Sequence, residues 1–509
     1  MRRSLLVACT AATALLAPLP LAMATPHANG GSDHDEPWVV RTAVLRADAK
    51  EFAPLCLKQK DGVPEFRTFR LFPGGRVITA MRDFYHKDAN GTVYWDGHDP
   101  KKPENTVSLS IIGACTRGGG HVTLDGVIEV GTKDYVFTPL PKHPGKYRLQ
   151  EIDTLKLPPS GEPGDTVTLP KRAERPGHTE KRPKADNNNP VALDLLVAYT
   201  PAAVTELGGV PEVEARIRYG VSQINKALAT SHVPASVHTV HSYQTTPSGG
   251  ADGSASALLD KLNRRSDLTL GALAHSNRDL YGADLVALLA SIPAEDSSGS
   301  ADLPIPVTSG TSESAYSVTS VFSVKEWDNL GHEIGHNLGM RHDRKTVANN
   351  GETPPGPNDT NFGWITSDNK YHTLMAYNTP CRPTCKVINQ YSNTVNHTAE
   401  GKALGDAKNN NAGIAQLATP LVSAYRASKV TNRHDLTMSV SPAGGGSVTV
   451  SEFGPYDPGT QVTLTAHPAA GNVFAGWEVD GVKQSDTTVN YQITMDKNHS
   501  VVALFNQAP

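Results

Sequence analysis

The sequence predicts a multidomain protein: a β-rich N-terminal domain, a central α/β (α+β) domain built on a mixed sheet, and a small all-β module towards the C-terminal end. Three observations carry this. The chain has 509 residues, more than one hydrophobic core usually spans. Apolar residues alternate with strand periodicity up to about residue 155 and again after residue 435, and follow helical spacing only between those regions. Residues 156–189 are rich in Pro, Gly and charge with almost no apolar periodicity, which is the composition of an exposed linker.

The elements follow in order. Arg2 and Arg3 precede an apolar run from Leu5 to Leu21, interrupted by Pro18 and Pro20, and Ala22-Met23-Ala24 is a small-x-small cleavage pattern. Residues 1–24 therefore read as a signal peptide, and the mature chain as secreted. Residues 25–155 hold short apolar segments separated by turn signals (RTAVLRA, FRTFRLF, GRVITAM, TVYW, TVSLSIIG, HVTLDGVIEV, DYVFTPL, KYRLQEID), a mostly antiparallel pattern. The linker contains Lys171-Arg172 and Lys181-Arg182, which serve either as maturation sites or simply as solubilising charge.

The domain at 190–428 opens with the buried strand VALDLLVAYT, followed by a helix with Val213, Ile217, Val221, Ile224 and Leu228 on one face. A strand near SVHTVHSY, a helix near SALLDKLNR and a strand at ADLVALLAS come next, then a helix from about Val324 to Leu338. NNAGIAQLATPLVSAY reads as a closing helix bent or broken near Pro420. Residues 435–507 (LTMSVSP, GSVTV, QVTLTAHP, NVFAGWEVDG, VNYQITM, HSVVALF) form the β module, where Trp477 reads as a core aromatic ahead of a ligand platform.

A net charge of -4 gives no reason to expect nucleic acid as a partner, and no later segment has the apolar length of a membrane span. Without the signal, Cys56, Cys115, Cys381 and Cys385 remain, an even count in an exported chain. Four cysteines allow three pairings. The closeness of Cys381 to Cys385 favours that pair, leaving Cys56 with Cys115.

The chemistry concentrates at residues 332–343, HEIGHNLGMRHD. His332 and His336 lie one turn apart on one helix face, so both imidazoles can meet a single ion. Gly339 can adopt the left-handed conformation that ends a helix and returns His342 as a third ligand. Three nitrogen ligands leave a fourth position open, the arrangement of a catalytic zinc site, and Glu333 stands where a general base is useful. No G-x-x-x-x-G-K-[ST] or G-x-S-x-G pattern competes with it. Acidic residues are scattered without a ligand-spaced loop, so structural Ca2+ is not assigned.

The extended motif, with Met375 and Tyr377 in YHTLMAYN about thirty residues on, resembles the metzincin zinc endopeptidases. Asp343 after the third histidine resembles the reprolysin-like branch, and the mixture of features looks most like secreted bacterial peptidyl-Asp metalloendopeptidases. The resemblance implies one catalytic Zn2+, protein or peptide substrates, a propeptide at 25–155, and Met375 as a packed base beneath the histidines. It also implies a role for Tyr377 at the oxyanion or as a displaceable ligand. Asp343 is expected to orient the turn through backbone hydrogen bonds.

Arg382 and Lys386, in the segment that lines the specificity pocket of such enzymes, would suit an acidic side chain; the competing reading is a solvated loop. Cys56, Cys115 and Asp153 are candidates for a latency ligand in the pro-domain. The C-terminal module resembles repeats of bacterial surface proteins and suggests a cell-surface or extracellular ligand. The alternative reading of the whole is an adhesion or envelope-binding protein carrying an inactive peptidase scaffold.

Overall fold

A computed structural model describes residues 36–56, 66–87, 91–116, 121–140, 143–157, 166–167, 190–250, 252–292, 298–349, 356, 358–381 and 385–508. The signal segment, the dibasic pairs of the linker and Arg382 lie outside the described residues.

The N-terminal segments become eight strands: β1 (Val39–Arg46), β2 (Phe66–Arg70), β3 (Val77–Lys87), β4 (Val93–Asp99), β5 (Lys102–Ile112), β6 (Thr123–Val130), β7 (Lys133–Pro139) and β8 (Lys146–Asp153). A one-turn helix α1 (Ala49–Phe52) follows β1. The sheet is antiparallel throughout, in the order β1-β8-β7-β6-β5-β4-β3-β2. One face closes over a core that includes Trp95, Leu109, Ile128 and Leu149, and a disulfide joins Cys56 to Cys115. Alternation puts Asp96, Ser108, Asp125 and Asp134 on the other face, and Ser108, Asp125 and Asp134 there are buried as well.

The central domain begins with β9 (Thr166–Val167) and β10 (Val191–Tyr199), then α2 (Pro201–Leu207), α3 (Val210–Thr230), β11 (Ala235–Gln244), α4 (Ala255–Asn263) and α5 (Gly271–Tyr281). β12 (Leu285–Ala290), β13 (Gly299–Asp302) and β14 (Tyr316–Ser320) complete a mixed sheet in the order β11-β10-β12-β14-β13-β9. β13 runs antiparallel to β14 and forms the hairpin edge on which the two residues of β9 lie in parallel register. Helix α3 and the later histidine helix share one apolar core on one face of this sheet; α4 and α5 cover the other.

The helix expected over Val324–Leu338 is two helices, α6 (Ser323–Glu326) and α7 (Asn329–Asn337). The break is physical: Asp328 is left-handed, with φ of 50°, a conformation Asp tolerates better than most residues. Beyond α7 come β15 (Arg341–Asp343), α8 (Arg344–Asn349), β16 (Phe362–Gly363), β17 (Tyr371–Thr373), β18 (Lys386–Ile388) and α9 (Asn411–Val422). Helix α9 continues through Pro420 to Val422 rather than breaking there.

The C-terminal strands β19 (Leu436–Ser441), β20 (Gly446–Val450), β21 (Gln461–Pro468), β22 (Asn472–Val479), β23 (Val482–Lys483), β24 (Asn490–Thr494) and β25 (His499–Gln507) form two sheets around Trp477. Its ring is fully buried and its Nε1 donates to the Thr488 carbonyl at 2.9 Å, so it is a core residue. No helix among the described residues is long and apolar enough to cross a membrane.

Candidate metal centre and active site

Helix α7 carries His332, Glu333 and His336 on buried faces, and ends where Gly339, at φ of +82°, turns the chain. The Gly339 amide donates to the His336 carbonyl at 2.8 Å, and β15 then brings His342 back beneath the helix. The three Nε2 atoms converge: 3.1 Å from His336 to His332, 3.1 Å from His336 to His342, and 3.2 Å from His342 to His332. A tetrahedral zinc ion with nitrogen ligands at 2.0–2.1 Å separates them by about 3.3 Å, so the triad fits that ion. It is the one such cluster of His, Cys, Asp or Glu among the described residues.

The rings are held from behind. His332 Nδ1 donates to the Leu374 carbonyl and His336 Nδ1 to the Met340 carbonyl, each at 2.8 Å, which assigns the tautomer with a free Nε2 lone pair. Burial, reinforced by the charge of His342, pushes His332 down to about 3 and His336 well below the ordinary imidazole value. Both rings are therefore neutral at physiological pH, the form that binds metal.

Glu333 is fully buried one residue beyond the first ligand. Asn329, one turn earlier, donates from Nδ2 to Glu333 Oε1 at 3.1 Å. Gly299 of β13 packs so closely that a Cβ there would stand 2.3 Å from that same oxygen. Asn337 ties α7 to this edge, donating to the carbonyls of Asp302 at 2.9 Å and Tyr316 at 3.0 Å.

The turn after β17 supplies the floor. Met375 is fully buried, and a Cβ at Gly335 of α7 would lie 2.4 Å from its sulfur. The Tyr377 ring lies 4.3 Å from that of His342 and 5.8 Å from that of His332. Asp343 Oδ1 accepts from the amides of Lys345 and Thr346, each at 3.0 Å, and Oδ2 accepts from the Tyr377 amide at 3.3 Å. Its carboxylate thus caps α8 and ties the third ligand's strand to the methionine turn.

Lys386 and the three latency candidates stand away from the histidines. Lys386 Nζ is engaged by the N-terminal domain: Gly131 O at 3.1 Å, Asp134 Oδ1 at 3.2 Å and Glu129 Oε1 at 3.7 Å. The loop before it is clipped by the Cys381–Cys385 disulfide. None of the three latency candidates reaches the histidines: Cys56 and Cys115 pair with each other, and Asp153 binds Lys133 at 2.8 Å.

Sequence reading missed Asn329, Gly299, Gly335 and Asn337. Asn329 and Asn337 lie on the motif helix within one turn of Glu333 and His336, so their spacing was a usable signal. Gly299 sits on a strand whose register nothing local reveals.

Comparison with known proteins agrees with this geometry. Residues 190–410 match the family described as metallo-peptidase family M12B, reprolysin-like, and residues 436–509 match the divergent InlB B-repeat domain. The chain is 24% identical over 346 residues to the peptidyl-Asp metalloendopeptidase of Stenotrophomonas maltophilia (strain K279a), covering 65% of this chain and 76% of that protein. A chain in a solved structure titled "Structure of a chaperone-substrate complex" aligns with 17% identity and a TM-score of 0.36, over 47% of this chain and 36% of that one. The protein carries a reprolysin-like metallopeptidase domain and a divergent InlB B-repeat domain, and is a metalloendopeptidase.

Proposed function

We propose that this metalloendopeptidase acts outside the cell as a zinc enzyme that hydrolyses internal peptide bonds of proteins, with Glu333 as general base, on a metzincin type of scaffold. The observation that carries the reading is the convergence of three buried Nε2 atoms within 3.2 Å, with a carboxylate braced beside them by Asn329. His332, His336 and His342 would hold the zinc ion, which would supply Lewis-acid chemistry at the scissile carbonyl and lower the pKa of water towards about 7. Glu333 takes the proton from the attacking water and delivers it to the departing amine. Tyr377, whose ring packs near those of His332 and His342, is the candidate donor to the developing oxyanion. Met375 keeps the ligand rings seated from below.

The hairpin edge β13 runs past Glu333, and an edge strand of this kind can pair with an extended substrate. In the unprocessed chain Thr166 and Val167 pair with Ala301 and Asp302 of that edge. This supports a latent precursor in which the linker occupies the substrate's place until it is cut. The relative's name supports a preference for Asp near the cut.

The test is Glu333→Gln. Zinc content should stay near one ion per chain while cleavage of casein and of peptides falls by roughly 10² to 10⁴. Full activity in that variant overturns the assignment. Casein hydrolysis that a chelator does not affect, or that never occurs, favours instead a binding protein on an inactive scaffold.

A further inference from the structure

We propose that the central domain carries a permanent docking face for the N-terminal domain, built on Arg216, Lys325 and Lys386, so that the two remain one complex after the linker is cut.

The outer face of the N-terminal sheet presents acids at alternating positions, a pattern that on a free domain is a solvated surface. Here it is inserted into cations of the central domain. Asp125 of β6 receives Arg216 of α3 through both carboxylate oxygens, at 3.2 and 3.3 Å, and Lys325 of α6 at 2.8 Å. All three side chains are at most 3% exposed. Lys325 also donates to the Phe137 carbonyl at 2.6 Å, and Arg216 to the Val321 carbonyl. Lys386 of β18 meets Asp134 and Glu129 at the neighbouring hairpin. Ser222 and Gln223 of α3 donate to Asp96 and Ser108, each at 2.9 Å.

The apolar packing is continuous across the same boundary. Val127, Val136, Ile152 and Leu157 belong to one core with Leu193, Tyr219 and Ile224. Burial alone would raise the Asp125 carboxyl; the charges of Arg216 and Lys325 outweigh it and hold the group below its usual value. Separation would leave two buried cations without their anion, which is costly even after partial rehydration. The C-terminal module braces the joint from outside, where Gln492 Nε2 donates to the Arg82 carbonyl at 3.1 Å.

Apart from Leu157, at the very start of the linker, none of these contacts involves residues 156–189. Cutting there leaves the N-terminal domain seated. That domain is then a subunit of the mature protein.

The experiment uses the full chain carrying Glu333→Gln, to prevent self-digestion, nicked by trypsin in the linker with the cut confirmed by intact mass. The two pieces should elute as one species at micromolar concentration, at low and high salt. Asp125→Ala, nicked in the same way, should dissociate at a concentration roughly a hundredfold higher or more. Lys386→Ala, which leaves the buried Asp125 pairs intact, covers the case in which Asp125→Ala fails to fold, and should weaken the complex about tenfold. Separation of the nicked parent at micromolar concentration overturns the proposal, and so do both variants holding as tightly as the parent.

Discussion

Gly299→Ala isolates the placement of Glu333 from every other property of the site. Gly299 lies in an ordinary extended strand, so the added methyl acts only through contact. Its carbon would stand 2.3 Å from Glu333 Oε1 and 2.6 Å from both Glu333 Cδ and Asn329 Nδ2, against ordinary contact from 3.4 Å. The strand cannot retreat freely, since Gly299 pairs with Thr319 and Asn337 holds the Asp302 carbonyl. The carboxylate must withdraw by about 1 Å. A misplacement of that size costs on the order of 10² in rate, or about 2.7 kcal/mol on the barrier. The histidines are not touched, so zinc content should match the parent. Overpacking should also lower stability by about 1–3 kcal/mol, which is read separately from thermal melts. The assay is kcat and KM on a quenched peptide, with metal content measured in parallel. In a Glu333→Gln background the same substitution should cost little more, because the misplaced group is already gone. A kcat within about threefold of the parent, with Glu333 present, refutes the reasoning.

Other outcomes follow from the same contacts. Gly335→Ala would add about 1 kcal/mol of intrinsic helix stability, but its methyl would lie 2.4 Å from the Met375 sulfur. The net change should be a loss of about 1–3 kcal/mol, smaller when Met375→Ala is also present; a higher melting temperature for the single variant contradicts this packing. Burial raises the Asp302 carboxyl to about 7, whereas the unfolded chain titrates near the ordinary value of about 3.9. The fold therefore holds a proton that the unfolded chain releases, and this contribution is complete below about pH 4 and lost as pH rises through 7. Asp302→Asn imitates the protonated form. Its melting temperature relative to the parent should rise between pH 5 and pH 8, and a constant difference would count against the shifted group.

How much of this was legible in the sequence depends on whether the partner of each residue is local. The eight N-terminal segments became eight strands because turn signals and period-two alternation are written in consecutive residues. The ligands were readable for the same reason: a helix brings positions four apart together, and Gly339 marks the reversal. The face of the N-terminal sheet carrying Asp125 was not readable as buried. Polar residues alternating with apolar ones describe a solvated sheet face until a second domain supplies Arg216 and Lys325. Lys386 likewise depends on a distant partner. A cation after the methionine turn suits an acidic substrate, yet in the unprocessed chain acids of the N-terminal domain already hold it.

The break at Asp328 connects these two halves of the molecule. A continuous helix from Val324 would carry Lys325 and His332 on one rigid rod, and the direction needed by one would dictate the direction of the other. The left-handed residue, at a cost of order 1 kcal/mol, removes that constraint. Its carbonyl accepts from the amides of Gly331 at 2.9 Å and His332 at 3.4 Å, so the turn also starts the first coil of α7. Helix α6 is then free to point Lys325 at Asp125, while α7 aims His332 and His336 at His342. The two tasks stay coupled through the two residues between the helices, Trp327 and Asp328. Whatever seats α6 against the N-terminal domain also sets where the metal-binding helix begins, which is a structural reason for that domain to stay in place once the linker is gone.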